Sequence, residues 1–172
     1  TTTTISQVGE FPLISSIVRD LPMSQAVTLG PGDDGAVFQV DGSVVVSTDV
    51  LVEEVHFRRR WSTATDVGRK AVAVNVSDIE AMGAVPVALV VGFSAPGDLP
   101  ASWAREFMAG MAAEAEQAGV SVVGGDTTAG PVISIAVTVI GQTAGMAPVR
   151  RDGAVPGDEV AVVDRKSTRL NS

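Results

Sequence analysis

Apolar positions along the chain switch between two periods. Within residues 10–19 they fall at Phe11, Ile14, Ile17 and Val18, the one-sided stripe of an amphipathic helix. Residues 36–40 and 44–47 are short β-rich runs separated by Asp41-Gly42, a pair that predicts a hairpin turn. A longer helical pattern covers 65–82, with Thr65 or Asp66 near its N-cap and Gly83 as its stop. Residues 85–93 are almost continuously apolar and predict a strand buried on both faces. Residues 100–118 predict a second helix ended by Gly119, and 120–123 and 132–140 predict further strands. Pro156-Gly157-Asp158 is a turn signal, after which 159–163 opens a new element. Hairpins mixed with helical crossovers predict an α/β fold of the mixed, α+β kind, a sheet packed with helices, rather than a doubly wound parallel sheet.

Composition removes several classes of chemistry. A chain of 172 residues suits one domain of ordinary size, or one domain plus the start of another. At 45% hydrophobic but only 4% aromatic residues, the core has to be packed largely by valine and alanine. The absence of cysteine excludes disulfides, thiolate metal sites and a cysteine nucleophile. A single histidine argues against His-rich zinc sites and a Ser-His-Asp triad. The formal charge of −8 argues against a nucleic-acid surface, which needs clustered Lys and Arg. The longest apolar run, 85–93, is broken by Pro86 and Gly92 and falls well short of the roughly 18 residues of a membrane span. Thr1 to Thr4 lack the basic and apolar stretches of a secretory signal, so the sequon Asn75-Val76-Ser77 reads as chance and the expected location is cytoplasmic. The first residue is not Met, which points to processing or truncation.

The last nine residues, 164–172, turn polar and basic in mid-strand without a turn signal. They look like translated adapter read-through, foreign to the domain, which implies that the chain is cut partway through a longer protein.

Four acidic segments stand at the edges of apolar elements. They are Gly32-Asp33-Asp34-Gly35 before a strand, Ser47-Thr48-Asp49 after one, Asn75-Val76-Ser77-Asp78 in a helix, and Gly124-Gly125-Asp126-Thr127-Thr128 after a strand. A solvated acidic face is normally interleaved with lysine, yet Lys70 is the only lysine before the basic tail. Gly, Ser and Thr surround these aspartates instead, as they do carboxylates approached closely by cations and phosphate oxygens. If the aspartates converge, two like charges about 4 Å apart repel by several kcal/mol at a protein surface. Divalent cations relieve that repulsion, and all-oxygen ligation selects Mg²⁺, Mn²⁺ or Ca²⁺ over zinc. Gly30-Pro31-Gly32-Asp33-Asp34-Gly35 satisfies the dinucleotide pattern G-x-G-x-x-G. It carries carboxylates where a pyrophosphate would lie, however, and precedes a strand rather than a helix, so the Rossmann reading is rejected. No P-loop or EF-hand loop is present.

The segments Gly9-Glu10-Phe11, Gly32-Asp33-Asp34, Ser47-Thr48-Asp49 with Leu51-Val52-Glu53, and His56-Phe57 resemble the thiamine-monophosphate kinase family. So do Lys70-Ala71 with Ala73-Val74-Asn75-Val76-Ser77-Asp78, Ala81-Met82-Gly83-Ala84, Gly124-Gly125-Asp126-Thr127-Thr128 and Pro156-Gly157-Asp158. That family belongs to the aminoimidazole ribonucleotide synthetase-like ATP-binding superfamily, with selenophosphate synthetase and a hydrogenase maturation factor among its relatives. The resemblance implies Mg²⁺ ligands at Asp34, Ser47, Thr48, Asp49, Asp78 and Asp126, with Asp33 contributing indirectly. It implies ATP contacts at Gly125, Asp126 and Arg151, a substrate contact at His56, and catalytic roles for Asp49, Asp78 and Asp126. Trp61 and Trp103 are expected to be packing residues, and Met108 and Met111 to belong to a helix face. The implied organisation is an N-terminal Mg²⁺/ATP-binding α/β domain over 1–154 that pairs with its copy in a homodimer, the opening of a truncated second domain over 155–163, and the foreign tail over 164–172. Two other readings stay open: an enzyme of the same superfamily with a different acceptor, and a non-catalytic metal-binding or dimerisation fragment.

Overall fold

The structure, a computed structural model, describes residues 2–19 and 21–161. The basic tail at 164–172 and the end of the 159–163 run lie outside the described residues, and residues 159–161 form no strand. In chain order the elements are α1 (Ile5–Val8), α2 (Glu10–Val18), β1 (Val27–Leu29), β2 (Val37–Phe38) and β3 (Val44–Val52). They are followed by α3 (Ala64–Ala81), β4 (Val85–Ala95), α4 (Ala101–Ala118), β5 (Ser121–Ala129) and β6 (Ser134–Gln142).

Four long strands make one mixed sheet in the order β3-β6-β4-β5. β6 runs antiparallel to both β3 and β4, whereas β4 and β5 are parallel, joined by the crossover helix that parallel pairing requires. Helices α3 and α4 cover one face of the sheet, giving the mixed α/β architecture expected. Ile135, Val137 and Val139 of β6 are fully buried among α3, α4 and the neighbouring strands. Among the described residues nothing covers the opposite face, which carries Val44, Val46, Val50 and Val90 in the open. β4 is therefore buried on its helix side, but Val85 and Val90 are exposed, and the expectation of burial on both faces is corrected. Among the described residues no helix is long and apolar enough to cross a membrane.

The two helices cross backbone to backbone. A Cβ on Gly68 would run into the Phe107 carbonyl, and one on Gly110 into the Thr65 carbonyl, so glycine at both positions sets how near α3 and α4 approach. Trp103 and Phe107 of α4 stack at 5.6 Å, and with Phe57 and Phe93 they form an aromatic column between helix and sheet. Trp103, Met108 and Met111 are packing residues as expected, whereas Trp61 is exposed, with the Arg58 and Arg60 guanidinium groups 4.3 and 5.1 Å from its ring. In α2 the buried residue is Leu13, while Phe11 faces solvent. The backbone of Thr3, Ile5 and Ser6 hydrogen-bonds to that of Ala101, Leu99 and Gly97, which pins the N-terminal segment to the β4–α4 loop.

Two local expectations change. The N-cap of α3 is Thr63, ahead of both Thr65 and Asp66, the positions read from the pattern, because Thr63 and Asp66 close a reciprocal capping box. Gly83, with φ of +69°, follows the end of α3 as expected. Asp41-Gly42 makes no hairpin, since β2 pairs with β1 and β3 pairs with β6 over nine residues. Asp41 N–H instead donates to Gln142 Oε1 at 2.7 Å and Ser43 N–H to Thr143 Oγ1 at 3.0 Å, docking the loop on the end of β6. Asn75 of the sequon is fully buried and donates to the Ala71 carbonyl at 2.8 Å, out of reach of modification.

Gly68→Ala is expected to lower stability by about 1–3 kcal/mol through overpacking. Alanine is the better helix former by about 1 kcal/mol, so the sign of the change separates packing from propensity. A urea midpoint that stays or rises would contradict the close crossing. The hydroxyl and then the backbone N–H of Thr63 hold the Asp66 carboxyl below the usual carboxylate range. Its contribution is present above the unfolded value and fades as pH falls through the lower folded value. Stability curves of the parent and Asp66→Asn should therefore converge in acid and separate towards neutrality; parallel curves would refute the cap.

Candidate functional site

Ser47, Thr48 and Asp49 lie inside β3 rather than after it, so the pleat decides what each side chain meets. Ser47, Asp49 and Leu51 point to the helix side, Thr48 and Val50 to the open face. Ser47 Oγ donates to Asp78 Oδ2 at 2.8 Å, bridging β3 to α3. Thr48 Oγ1 donates to the Val137 carbonyl at 3.0 Å and accepts from Thr138 Oγ1 at 3.2 Å. Asp78 occupies the last turn of α3, the negative end of the helix dipole, where a carboxylate is disfavoured by about 0.3–1 kcal/mol. A bound cation would reverse that sign.

The same place gathers Arg151. Ser47, Asp78 and Arg151 line a cavity of about 350 Å³ together with Met82 and Val149. Val149 N–H donates to the Met82 carbonyl at 2.8 Å and its side chain rests where a Cβ on Gly83 would lie, which brings the 149–151 segment against the end of α3. Arg150 pairs with Asp152 at 2.8 Å. Arg151 has no carboxylate partner among the described residues.

Asp33, Asp34, Gly125 and Asp126 belong to a second cavity, about 760 Å³, between α2, the 31–36 loop and β5. Its walls are apolar, from Ile14, Ile17 and Met108, and its rim is acidic. Gly124-Gly125-Asp126 lies within β5, not after it, and a Cβ on Gly125 would collide with the Val91 carbonyl. Asp126 shares a register row with Gly92, Ala136 and Val50, three strands from β3. At about 4.8 Å per strand that separation is roughly 14 Å. One chain thus brings Ser47 to Asp78 and Arg151, and Asp126 to Asp33 and Asp34, but does not bring the two groups together. Among the described residues no three acidic or histidine side chains are placed to hold a metal.

His56 follows β3 in a tight, exposed loop. Its Nδ1 accepts from the Val52 N–H at 3.0 Å, and Lys70 of α3 donates from Nζ to its backbone carbonyl at 2.7 Å. Glu54, with φ of +65°, accepts from Arg58 and Arg60, while Glu53 accepts from Arg59.

Residues 32–143 match the family described as AIR synthase related protein, N-terminal domain. The chain belongs to this family. It is similar to the thiamine-monophosphate kinase of Mycobacterium tuberculosis (strain H37Rv), 50% identical over 161 residues covering 93% of this chain and 48% of that protein. The solved thiamine monophosphate kinase of Aquifex aeolicus is 31% identical, with a TM-score of 0.62 over 83% of this chain and 44% of that one. The structure of AaThiL complexed with AMPPCP and TMP is 30% identical, with a TM-score of 0.56 over 81% of this chain and 43% of that one. The chain spans about half the length of the curated relatives it matches.

In this AIR synthase related domain two features carried no sequence signal. The cavity beside α2 depends on how a short helix leans on a sheet edge. The hold on His56 comes from a backbone N–H four residues back and a lysine fourteen residues on.

Asp78→Asn keeps an acceptor for Ser47 but removes a charge from the negative end of α3. In metal-free buffer it is expected to leave stability unchanged or raise it by about 0.3–1 kcal/mol. A clear loss of stability on thermal melting would mean that Asp78 is structural.

Proposed function

We propose that the chain is the ATP-binding half of a thiamine-monophosphate kinase, transferring the γ-phosphoryl group of ATP to the phosphate of thiamine monophosphate to give thiamine diphosphate and ADP. The observation that carries this reading is the 50% identity over 161 residues to proteins of that name, spanning every acidic segment of the site. The ATP and acceptor assignments also draw on the relative complexed with AMPPCP and TMP. A reaction that draws on the ATP pool fits a cytoplasmic location. The proposed division is an α/β domain over 1–154, the opening of a second domain from 155, and a foreign tail over 164–172.

The donor set suits magnesium. Ser47, Thr48, Asp34, Asp49, Asp78 and Asp126 offer oxygen alone, and Mg²⁺ is commonly held by one or two carboxylates with waters and substrate phosphates completing its shell. A hydroxyl and a carboxylate already 2.8 Å apart, at the negative end of a helix, fit that pattern without a third acid nearby. When bound, Mg²⁺ supplies charge neutralisation between the two anionic reactants. The acceptor is already an oxyanion, so the protein needs no strong base; alignment and electrostatics dominate. Arg151 is suited to phosphate oxygens across the Ser47–Asp78 cavity, and Gly125 lets a ligand approach the β5 backbone.

The separation of Asp126 from β3 makes the homodimer part of this proposal. The exposed valines Val44, Val46 and Val50 form an apolar face suited to a second copy.

In the protein extended to the length of its relatives, Asp49→Asn is expected to abolish thiamine diphosphate formation. Near-normal turnover at saturating Mg²⁺ would sink the assigned role. The 172-residue chain alone is expected to show no turnover, and robust kinase activity from it would show that the second half is dispensable.

A further inference from the structure

We propose that Val149 is the positioning residue for Arg151: seated in the gap left by Gly83, it fixes the turn that carries the guanidinium to the Ser47–Asp78 cavity. The proposal rests on the kinase reading only for the identity of the anion that Arg151 would meet, the triphosphate of ATP. Residues 143–161 belong to no helix or strand, so the place of Arg151 depends on local contacts. Val149 makes two of them. Its N–H donates to the Met82 carbonyl at 2.8 Å, one of the main-chain acceptors that α3 leaves open at its C-terminal end. Its Cγ2 stands 2.8 Å from where a Cβ on Gly83 would be, so the seat exists only because residue 83 has no side chain.

Beyond that anchor the chain turns back on itself. Gly153 N–H donates to the Arg150 carbonyl at 3.1 Å, and the Arg150 side chain pairs with Asp152 at 2.8 Å. The adjacent carboxylate is thereby engaged with Arg150. Arg151, at the second position of the turn, is left without a carboxylate partner among the described residues. Ser47, Asp78, Met82, Val149 and Arg151 line one cavity of about 350 Å³. Asp78 and Met82 stand about one turn apart at the same helix end, so carboxylate and guanidinium are spaced by one rigid element rather than by the loop. Val149 is 54% exposed, so its replacement spares the core and an effect on ligand affinity can be read separately from folding.

Kinetics in the protein extended to the length of its relatives test the assignment. Val149→Gly is expected to raise KM for ATP about tenfold, the worth of one misplaced charge-assisted hydrogen bond, with KM for thiamine monophosphate unmoved. Gly83→Asn, which tolerates the left-handed backbone but fills the seat, should do the same. Val149→Thr, which restores the branched side chain, should recover the affinity. The deciding comparison uses Arg151→Met: because Val149 acts through Arg151, adding Val149→Gly to that variant should change KM for ATP no further. Losses that multiply would overturn the proposal, as would an unchanged KM in Val149→Gly or a parallel rise for both substrates. An extended protein without thiamine-monophosphate kinase activity would sink the kinase reading instead. Magnesium tripolyphosphate titrated into the 172-residue chain then decides the positioning, through an affinity that falls about tenfold with Val149→Gly and no further in the Arg151→Met background. Tripolyphosphate that the parent chain fails to bind would overturn it as well.

Discussion

The insertion of β6 between β3 and β4 governs the rest of the molecule. Nine consecutive register pairs tie β3 to β6, and a further nine tie β6 to β4, so the last strand in sequence becomes the inner partner of the first long one. This closes the sheet over residues almost a hundred apart and leaves β3 and β5 as the two edges. The strand and helix residues of the site hang from those edges or from the helix that lies over one of them, while Asp33, Asp34 and Arg151 come in from flanking loops. Ser47, Thr48 and Asp49 belong to one edge, Gly125 and Asp126 to the other, and the crossing of α3 on α4 at Gly68 and Gly110 sets where Asp78 comes down. Had β3 and β2 formed the local hairpin that Asp41-Gly42 suggests, the carboxylates would have been carried elsewhere.

Much of this architecture was legible in the chain because the long elements obey one strong period each. α3 and α4 show helical stripes with glycine just past their ends, and β4 is a run of small apolar residues. The short elements failed where tertiary pairing outweighed local preference. A two-residue β2 has almost no sequence signature, and its pairing to β1 depends on the loop that Thr28 Oγ1 helps close by donating to the Val37 carbonyl at 3.1 Å. Thr63 was missed as the cap because Thr65 and Asp66 are equally plausible residue types; only the reciprocal bonds choose among them. At the site, residue types were legible but convergence was not. Small residues around aspartates betray close approach, whereas strand order, which no motif records, decides that Asp49 and Asp126 stand at opposite edges.

Charge gives the same picture from another direction. The acidic segments are not neutralised by neighbouring lysines, and the arginines paired with carboxylates, Arg58, Arg59, Arg60 and Arg150, are engaged with Glu53, Glu54 and Asp152 rather than with the site aspartates. The site aspartates are therefore left to whatever positive charge arrives with a ligand. Their exposure costs little in solution, and placing Asp78 at the wrong end of a helix dipole is a modest, local sacrifice of stability. The arrangement stores electrostatic demand rather than satisfying it internally, which is what the proposed binding of a polyphosphate with its counter-ions calls for.

The clamp on His56 also bears on self-association. The outward amide it occupies at Val52 is one of the unpaired donors that make a sheet margin sticky towards other strands. Turning the imidazole away would bare that donor, so the loop cannot change its hold on the ring without also loosening the guard on the molecule's flank. Variation that retunes the contact would have to bring a substitute stopper with it.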